Sequence, residues 1–205
     1  MNQNQKAHTG RQLGVLDLAH RFLRDHVQPG DLCIDATAGR GFDTKLLCEL
    51  TGQTGRVLAF DIQQEAVDST NALLAEHGLS AEVHLASHAA LAQYAEPESV
   101  SCIVFNFGWL PRGSHEIFTH ADSSIAALEA SLTLLIVGGA LSLCVYYGGA
   151  NGFSERDALL EWLSALDSRY YTVLQCSFPN RTGCPPFAVF VTKDAAPPKN
   201  EEKQP

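Results

Sequence analysis

The chain has 205 residues, 45% hydrophobic and 18% charged, the profile of one globular domain with a sizeable core. Its formal net charge of −9 runs against the basic surface of a nucleic-acid binder, although a local cationic patch can coexist with an acidic body. No run approaches the ~18 apolar residues of a membrane span, and the polar start Met1-Asn2-Gln3-Asn4-Gln5-Lys6 lacks an apolar signal-peptide core, so a cytoplasmic protein with no membrane partner is expected.

Residues 1–10 show no periodicity and are expected to be flexible. From Leu13, apolar residues including Leu16, Ala19, Leu23 and Val27 recur at helical spacing until Pro29-Gly30. The apolar run Leu32-Cys33-Ile34 then reads as a buried strand, and Lys45 to Leu50 as a helix. Between them lies Asp35-Ala36-Thr37-Ala38-Gly39-Arg40-Gly41-Phe42-Asp43-Thr44, a glycine turn where strand hands over to helix, the place where an open α/β sheet holds a nucleotide-like ligand. The pattern is not a pyrophosphate turn, because Thr44 stands at the third glycine position and no Gly-Lys-Ser/Thr follows. Carboxylates at Asp35 and Asp43 instead suit a ligand bearing an ammonium and a sulfonium, as S-adenosylmethionine (SAM) does, with Gly39, Arg40 and Gly41 forming the turn around it.

Gly55 to Ile62 is the second strand, ending in Asp61, where the dinucleotide-type half-fold places the carboxylate that takes the ribose hydroxyls. A helix over Gln64–His77 and a third strand over Glu82–Ala86 follow, the latter ending in Ser87-His88, beside the expected adenine position. Ser101 to Phe107 reads as a strand buried on both faces. Its polar break at Asn106 can accept a hydrogen bond from an amine nucleophile, and Trp109 just beyond can stack a flat substrate. Ser114 to His120 is expected to be a loop over the site, and Asp122-Ser123-Ser124 to cap a helix over Ile125–Leu135 that ends at Gly138-Gly139. A fifth strand over Ala140–Tyr147, a glycine-rich loop and a helix through Leu166 come next.

The last two strands, Thr172–Phe178 and Pro186–Thr192, are joined by too short a segment for a crossover helix and must be antiparallel. The fold class is therefore α/β, a Rossmann-like sheet of seven strands with five parallel βα units and a C-terminal hairpin, the architecture of class I methyltransferases. Arg40, Arg112 and Arg181 should share one sheet edge and could supply a cationic patch for tRNA. Cys33, Cys102 and Cys144 lie inside predicted buried strands, Cys48 lies on a helix and no two cysteines are spaced C-x-x-C, so reduced thiols and no metal site are expected.

Over roughly Leu13 to Lys193 the chain resembles the small class I SAM-dependent methyltransferases described as rRNA methylases, a family associated with tRNA 5-(aminomethyl)-2-thiouridine methyltransferase activity at the wobble uridine. The residues carrying the resemblance are Pro29-Gly30-Asp31, Asp35-Ala36-Thr37 through Asp43-Thr44, Phe60-Asp61-Ile62-Gln63, Ser87-His88, Phe105-Asn106 with Gly108 and Leu110-Pro111, Ser124 to Leu128, and Pro185-Pro186-Phe187. The resemblance implies SAM contacts at Asp43, Asp61, Gln63, Ser87 and His88 beside the glycine turn, with residues 11–193 as the methyltransferase domain and 194–205 as a disordered tail. The chain departs from the family at Arg40, at Arg112-Gly113-Ser114 and at Gly149, the last two on the substrate side.

The expected chemistry is methyl transfer to an aminomethyl nitrogen oriented by Asn106, with Asp122, His115, Tyr146 and Tyr147 as open alternatives for relaying the proton. The alternatives are an rRNA or small-molecule methyltransferase, a SAM-binding regulatory module without catalysis and, more remotely, a dehydrogenase. A homodimer through the first helix stays open.

Overall fold

Short apolar runs alternate with amphipathic segments along the chain, and each run becomes a strand in the computed structural model, which describes residues 12–108, 121–148 and 152–198. The elements are α1 (Val15–His26), β1 (Leu32–Asp35), α2 (Phe42–Thr51), β2 (Arg56–Asp61), α3 (Gln64–Glu76) and β3 (Glu82–Leu85). After a 3-10 turn (His88–Gln93) follow β4 (Val100–Phe107), α4 (Ala121–Leu134), β5 (Leu135–Val145), α5 (Gly152–Ser164), β6 (Tyr171–Cys176) and β7 (Phe187–Lys193). The seven strands form one sheet in the order β3-β2-β1-β4-β5-β7-β6. β1 to β5 pair in parallel, while β7 lies antiparallel between β5 and β6.

Side chains of a strand alternate between the faces of the sheet, so β4 serves two cores. Ile103, Phe105 and Phe107 pack with Leu128, Leu134 and Leu159 from α4 and α5. Cys102 and Val104 pack on the opposite face with Leu23 and Val27 from the α1 segment and Leu46 and Leu47 of α2. By the same alternation Asn106 points to the α1/α2 side, and it is the only β4 residue that is not buried. Val15, Ala19, Leu23 and Val27, spaced by four, are the buried stripe of the α1 segment. Each Leu or Val so removed from water contributes about 1.5–3 kcal/mol.

The sheet departs from the sequence reading in one place. β5 begins at Leu135, directly after α4, rather than beyond Gly138-Gly139. Val100 pairs with Leu135, whereas Cys102 pairs with Ala140, so the extra residues of β5 are accommodated as a bulge. Ile136 and Val137 favour extended backbone, and Gly138 takes the left-handed φ of +86° that the bulge needs. α4 correspondingly starts at Ala121, which puts Asp122, Ser123 and Ser124 inside its first turn. Lys193, at the end of β7, is buried and donates through Nζ to the carbonyls of Leu132 (3.2 Å) and Leu135 (2.7 Å), closing the C-terminus of α4. All six cysteines carry free thiols, four of them buried. Among the described residues no helix is long and apolar enough to cross a membrane. Residues 1–10, the segment Ser114–His120, Trp109, Arg112, His115, Gly149 and tail positions 199–205 lie outside the described residues.

Candidate functional site

A cavity of about 830 Å³ opens at the C-terminal ends of β1, β2, β3 and β4. Its floor is the turn after β1, pinned by the backbone on both sides: Ala36 donates to the Val104 carbonyl (2.9 Å) and Ala38 to that of Phe60 (2.9 Å). The turn enters α2 through Gly41 at φ +81°, where a Cβ would stand 2.9 Å from the Thr70 Cα of α3. Gly41 is thus needed for packing beneath the turn rather than for ligand approach, whereas Gly39 and the exposed Arg40 border the cavity.

Asp35 is also placed below the cavity, not in it, which corrects its reading as a direct ligand contact. Its carboxylate is fully buried and accepts from the Thr44 hydroxyl (2.6 Å) and the Thr37 N–H (3.2 Å). Burial and then the nearby Asp43 charge push its pKa up to about 7, against the pull of the Thr44 hydrogen bond. Asp35 holds the turn.

Asp61 lies at the end of β2, on the cavity wall. One oxygen accepts from Gly39 N–H and the other from Gln63 N–H, both at 2.9 Å. A carboxylate has about four lone-pair sites, so each oxygen keeps capacity for a ligand hydroxyl. Ser87 and His88 border the cavity at the end of β3, and Ser87 Oγ also accepts from Ala89 N–H (3.2 Å) to cap the 3-10 turn. Nε2 of His88 is buried and has no hydrogen-bond partner among the described residues. Burial is the main cause holding this imidazole below its usual pKa, with Asp61 pulling weakly the other way.

The opposite wall joins three elements. Asp43, in the first turn of α2, accepts from His20 Nε2 of α1 (2.6 Å) through one oxygen and from Asn106 Nδ2 of β4 (2.8 Å) through the other. The Asn106 backbone N–H donates to Thr37 Oγ1 (2.7 Å), tying the strand end to the turn. Tyr146 completes this side. Burial chiefly, then Cys144 and Asp43, hold its hydroxyl far above the ordinary tyrosine value. Tyr147 is turned away, packed on Phe153 and Phe187 with the Arg156 guanidinium over its ring. Asp122 is exposed on α4 and does not border the cavity, although its neighbour Ser123 does.

Eight expected residues therefore converge on one cavity: Gly39, Arg40, Asp43, Asp61, Gln63, Ser87, His88 and Asn106. Arg181 does not join them; it stacks over Phe178 at 3.7 Å and donates to the Leu13 carbonyl, fastening the hairpin loop to the approach to α1. Trp109 and Arg112 lie outside the described residues. Sequence reasoning missed His20 and Arg24, spaced by four on the polar side of α1, which line the cavity together with Leu16. The spacing was readable, but a polar helix face ordinarily faces solvent.

The residues present fit SAM. Asp43 and Asp61 supply carboxylates where a phosphate would be repelled, Ile62 and Phe42 leave apolar surface 57% and 63% exposed beside them, and the orphaned His88 nitrogen awaits a polar partner.

The family model described as "Putative rRNA methylase" matches residues 57–192. A protein of Arabidopsis thaliana, the chloroplastic tRNA (mnm(5)s(2)U34)-methyltransferase, is 32% identical over 188 residues, spanning 86% of this chain and 68% of the relative. Among solved structures, one described as a "putative rRNA-methylase" of Clostridium thermocellum is 34% identical with a TM-score of 0.86, covering 90% of this chain and 100% of its own. Another, described as a "putative methyltransferase" of Streptococcus mutans in complex with SAH, is 31% identical with a TM-score of 0.81, covering 89% of this chain and 99% of its own.

Proposed function

The chain belongs to the rRNA methylase family and is a SAM-dependent methyltransferase, and from that premise we propose that it methylates RNA at an exocyclic amine, the 5-aminomethyl nitrogen of the tRNA wobble (thio)uridine. The observation that carries this reading is Asn106, the half-buried break in an otherwise buried central strand, whose amide nitrogen is committed to Asp43. That leaves its carbonyl oxygen to accept from an incoming N–H, which aims the nitrogen lone pair. The activity for which the Arabidopsis relative is named, methyl transfer at such a wobble uridine, supports the same choice.

When bound, SAM supplies a methyl carbon made electrophilic by its sulfonium. Asp61 holds the ribose hydroxyls while keeping the turn closed through Gly39. His88, Ser87 and Ile62 form the base-binding end, and the neutral His88 ring keeps that end free of charge. Asn106 orients the amine at the other end, with the protonated Tyr146 hydroxyl as a nearby donor. The amine must arrive unprotonated, and partial desolvation between α1 and α2 favours that form. Arg24 and Arg40 border the same cavity and give an RNA backbone a cationic edge on an otherwise acidic chain, whereas Lys45 beside them is paired with Glu49.

The test is transfer of labelled methyl from SAM to bulk tRNA from cells lacking this protein, beside tRNA from wild-type cells. Label entering only the deficient tRNA, recovered in the wobble nucleoside, is the expected result. Label in rRNA or a small amine instead, or none in any RNA while calorimetry shows SAH bound, would overturn the substrate and leave the cofactor standing.

A further inference from the structure

We propose that His20, contributed by α1, is a positioning residue for methyl transfer: it fixes the Asp43 carboxylate, which fixes the Asn106 amide with its carbonyl oxygen toward the cavity. This role rests on the amine nucleophile proposed above. An ionised carboxylate only accepts hydrogen bonds, so both groups that meet Asp43 must donate. At 2.8 Å from Asp43 Oδ2, Asn106 can present only its NH₂. The orientation of the amide, and with it the side on which its oxygen lies, is therefore dictated by Asp43.

Asp43 in turn has two oxygens and a side chain that can rotate about its last bond. His20 Nε2, 2.6 Å from Oδ1, occupies the second oxygen and stops that rotation. The Asp43 side chain is 11% exposed and that of His20 27%, so the pair is shielded enough to hold its geometry yet still borders the cavity. α1 itself is anchored from its other face by Val15, Ala19 and Leu23, and Arg24 NH1 donates to the His20 carbonyl (3.1 Å). His20, Asp43 and Asn106 come from α1, α2 and β4, and positions 20, 43 and 106 meet only in the finished fold.

The functional consequence is selection of the nucleophile. An acceptor facing the cavity favours a group that carries N–H and disfavours a carbonyl or carboxylate oxygen in its place. Freed from His20, Asp43 can turn to water, and Asn106 can then offer NH₂ or oxygen to the substrate. The lone pair would be misaimed while SAM binding continued.

The experiment compares His20→Ala, His20→Gln and a control, Arg21→Ala, on the exposed side of the same helix. In substrate-free protein, the Asn106 side-chain NH₂ resonances, identified by their loss in Asn106→Ala, are expected to shift in His20→Ala and to return in His20→Gln, whose carboxamide can still donate. The same His20→Ala protein should lose roughly 10- to 100-fold in kcat, because small misplacements at a reacting pair carry large penalties. SAH affinity should fall far less than kcat, because Asp61, Ser87 and His88 are untouched, and His20→Gln should recover most of the rate. Arg21→Ala should change none of these. Unmoved Asn106 resonances in His20→Ala with only a lower Tm would overturn the proposal, as would SAH affinity falling in proportion to kcat. Should wild-type protein methylate no amine at all, the substrate reading fails, and the Asn106 resonances alone decide the positioning role.

Discussion

The two walls of the cavity are built on different principles. The wall at the ends of β2 and β3 is tied down through backbone N–H groups: Asp61 accepts from Gly39 and Gln63, and Ser87 from Ala89, above the turn that the buried Asp35 holds. The wall facing it is held side chain to side chain between separate elements, His20 of α1 and Asn106 of β4 both meeting Asp43 of α2. On the proposed reading the first wall takes the ribose and base of SAM, and Asn106 on the second meets the group that receives the methyl.

That division predicts which measurement each substitution moves. The largest effect is expected at Asn106: Asn106→Ala should lower kcat by about 10²–10³-fold with SAH affinity nearly unchanged, read by steady-state kinetics beside calorimetry. Full activity in that variant would erase the distinction between the walls. Next, Gly41→Ala should cost about 2–4 kcal/mol of stability, combining a left-handed φ with the clash against Thr70. Gly78, which ends α3 at φ +65° with nothing within 4 Å of an added Cβ, is the control, and Gly78→Ala should cost only about 1–2 kcal/mol by denaturant unfolding.

Asp61→Ala should weaken SAH binding by roughly 10- to 30-fold through lost hydroxyl contacts and a loosened Gly39, leaving kcat at saturating SAM much less affected. The smallest effect concerns pH. His88 has a folded pKa below its unfolded value of 6.5, so below pH 6.5 the unfolded chain takes the proton more readily and stability falls as pH falls. His88→Gln should flatten that acid-side loss of Tm, measured by thermal scans in matched buffers.

The first wall was largely legible in the sequence because its signals are local. A glycine turn between an apolar strand and a helix, an acid at the end of the next strand and Ser87-His88 after the third are each marked by their immediate neighbours in the chain. Asn106 was legible for the same reason, a polar interruption in the apolar run Ser101 to Phe107. His20 was not, because nothing near residue 20 indicates that its helix face will meet residue 43 instead of water. Asp35 misled in the opposite way: position relative to the glycines could not tell a carboxylate beneath the turn from one inside the cavity. The bulge in β5 was hidden because glycine pairs end helices more often than they interrupt strands.

The placement of β7 bears on how the chain is made. Although β7 follows β6 in the chain, it is not the outer strand: it is inserted between β5 and β6 and carries Lys193, which closes the end of α4. A nascent chain that has emerged only as far as β6 therefore presents the edge of β5, from Ala140 to Val145, with its backbone hydrogen bonds unmade. Such an apolar edge is a template for pairing with another chain, so a ribosome paused before Phe187 holds an aggregation-prone species. The residues that line the cavity, Leu16 to Tyr146, all precede β7 and wait on it for a sheet without this open edge.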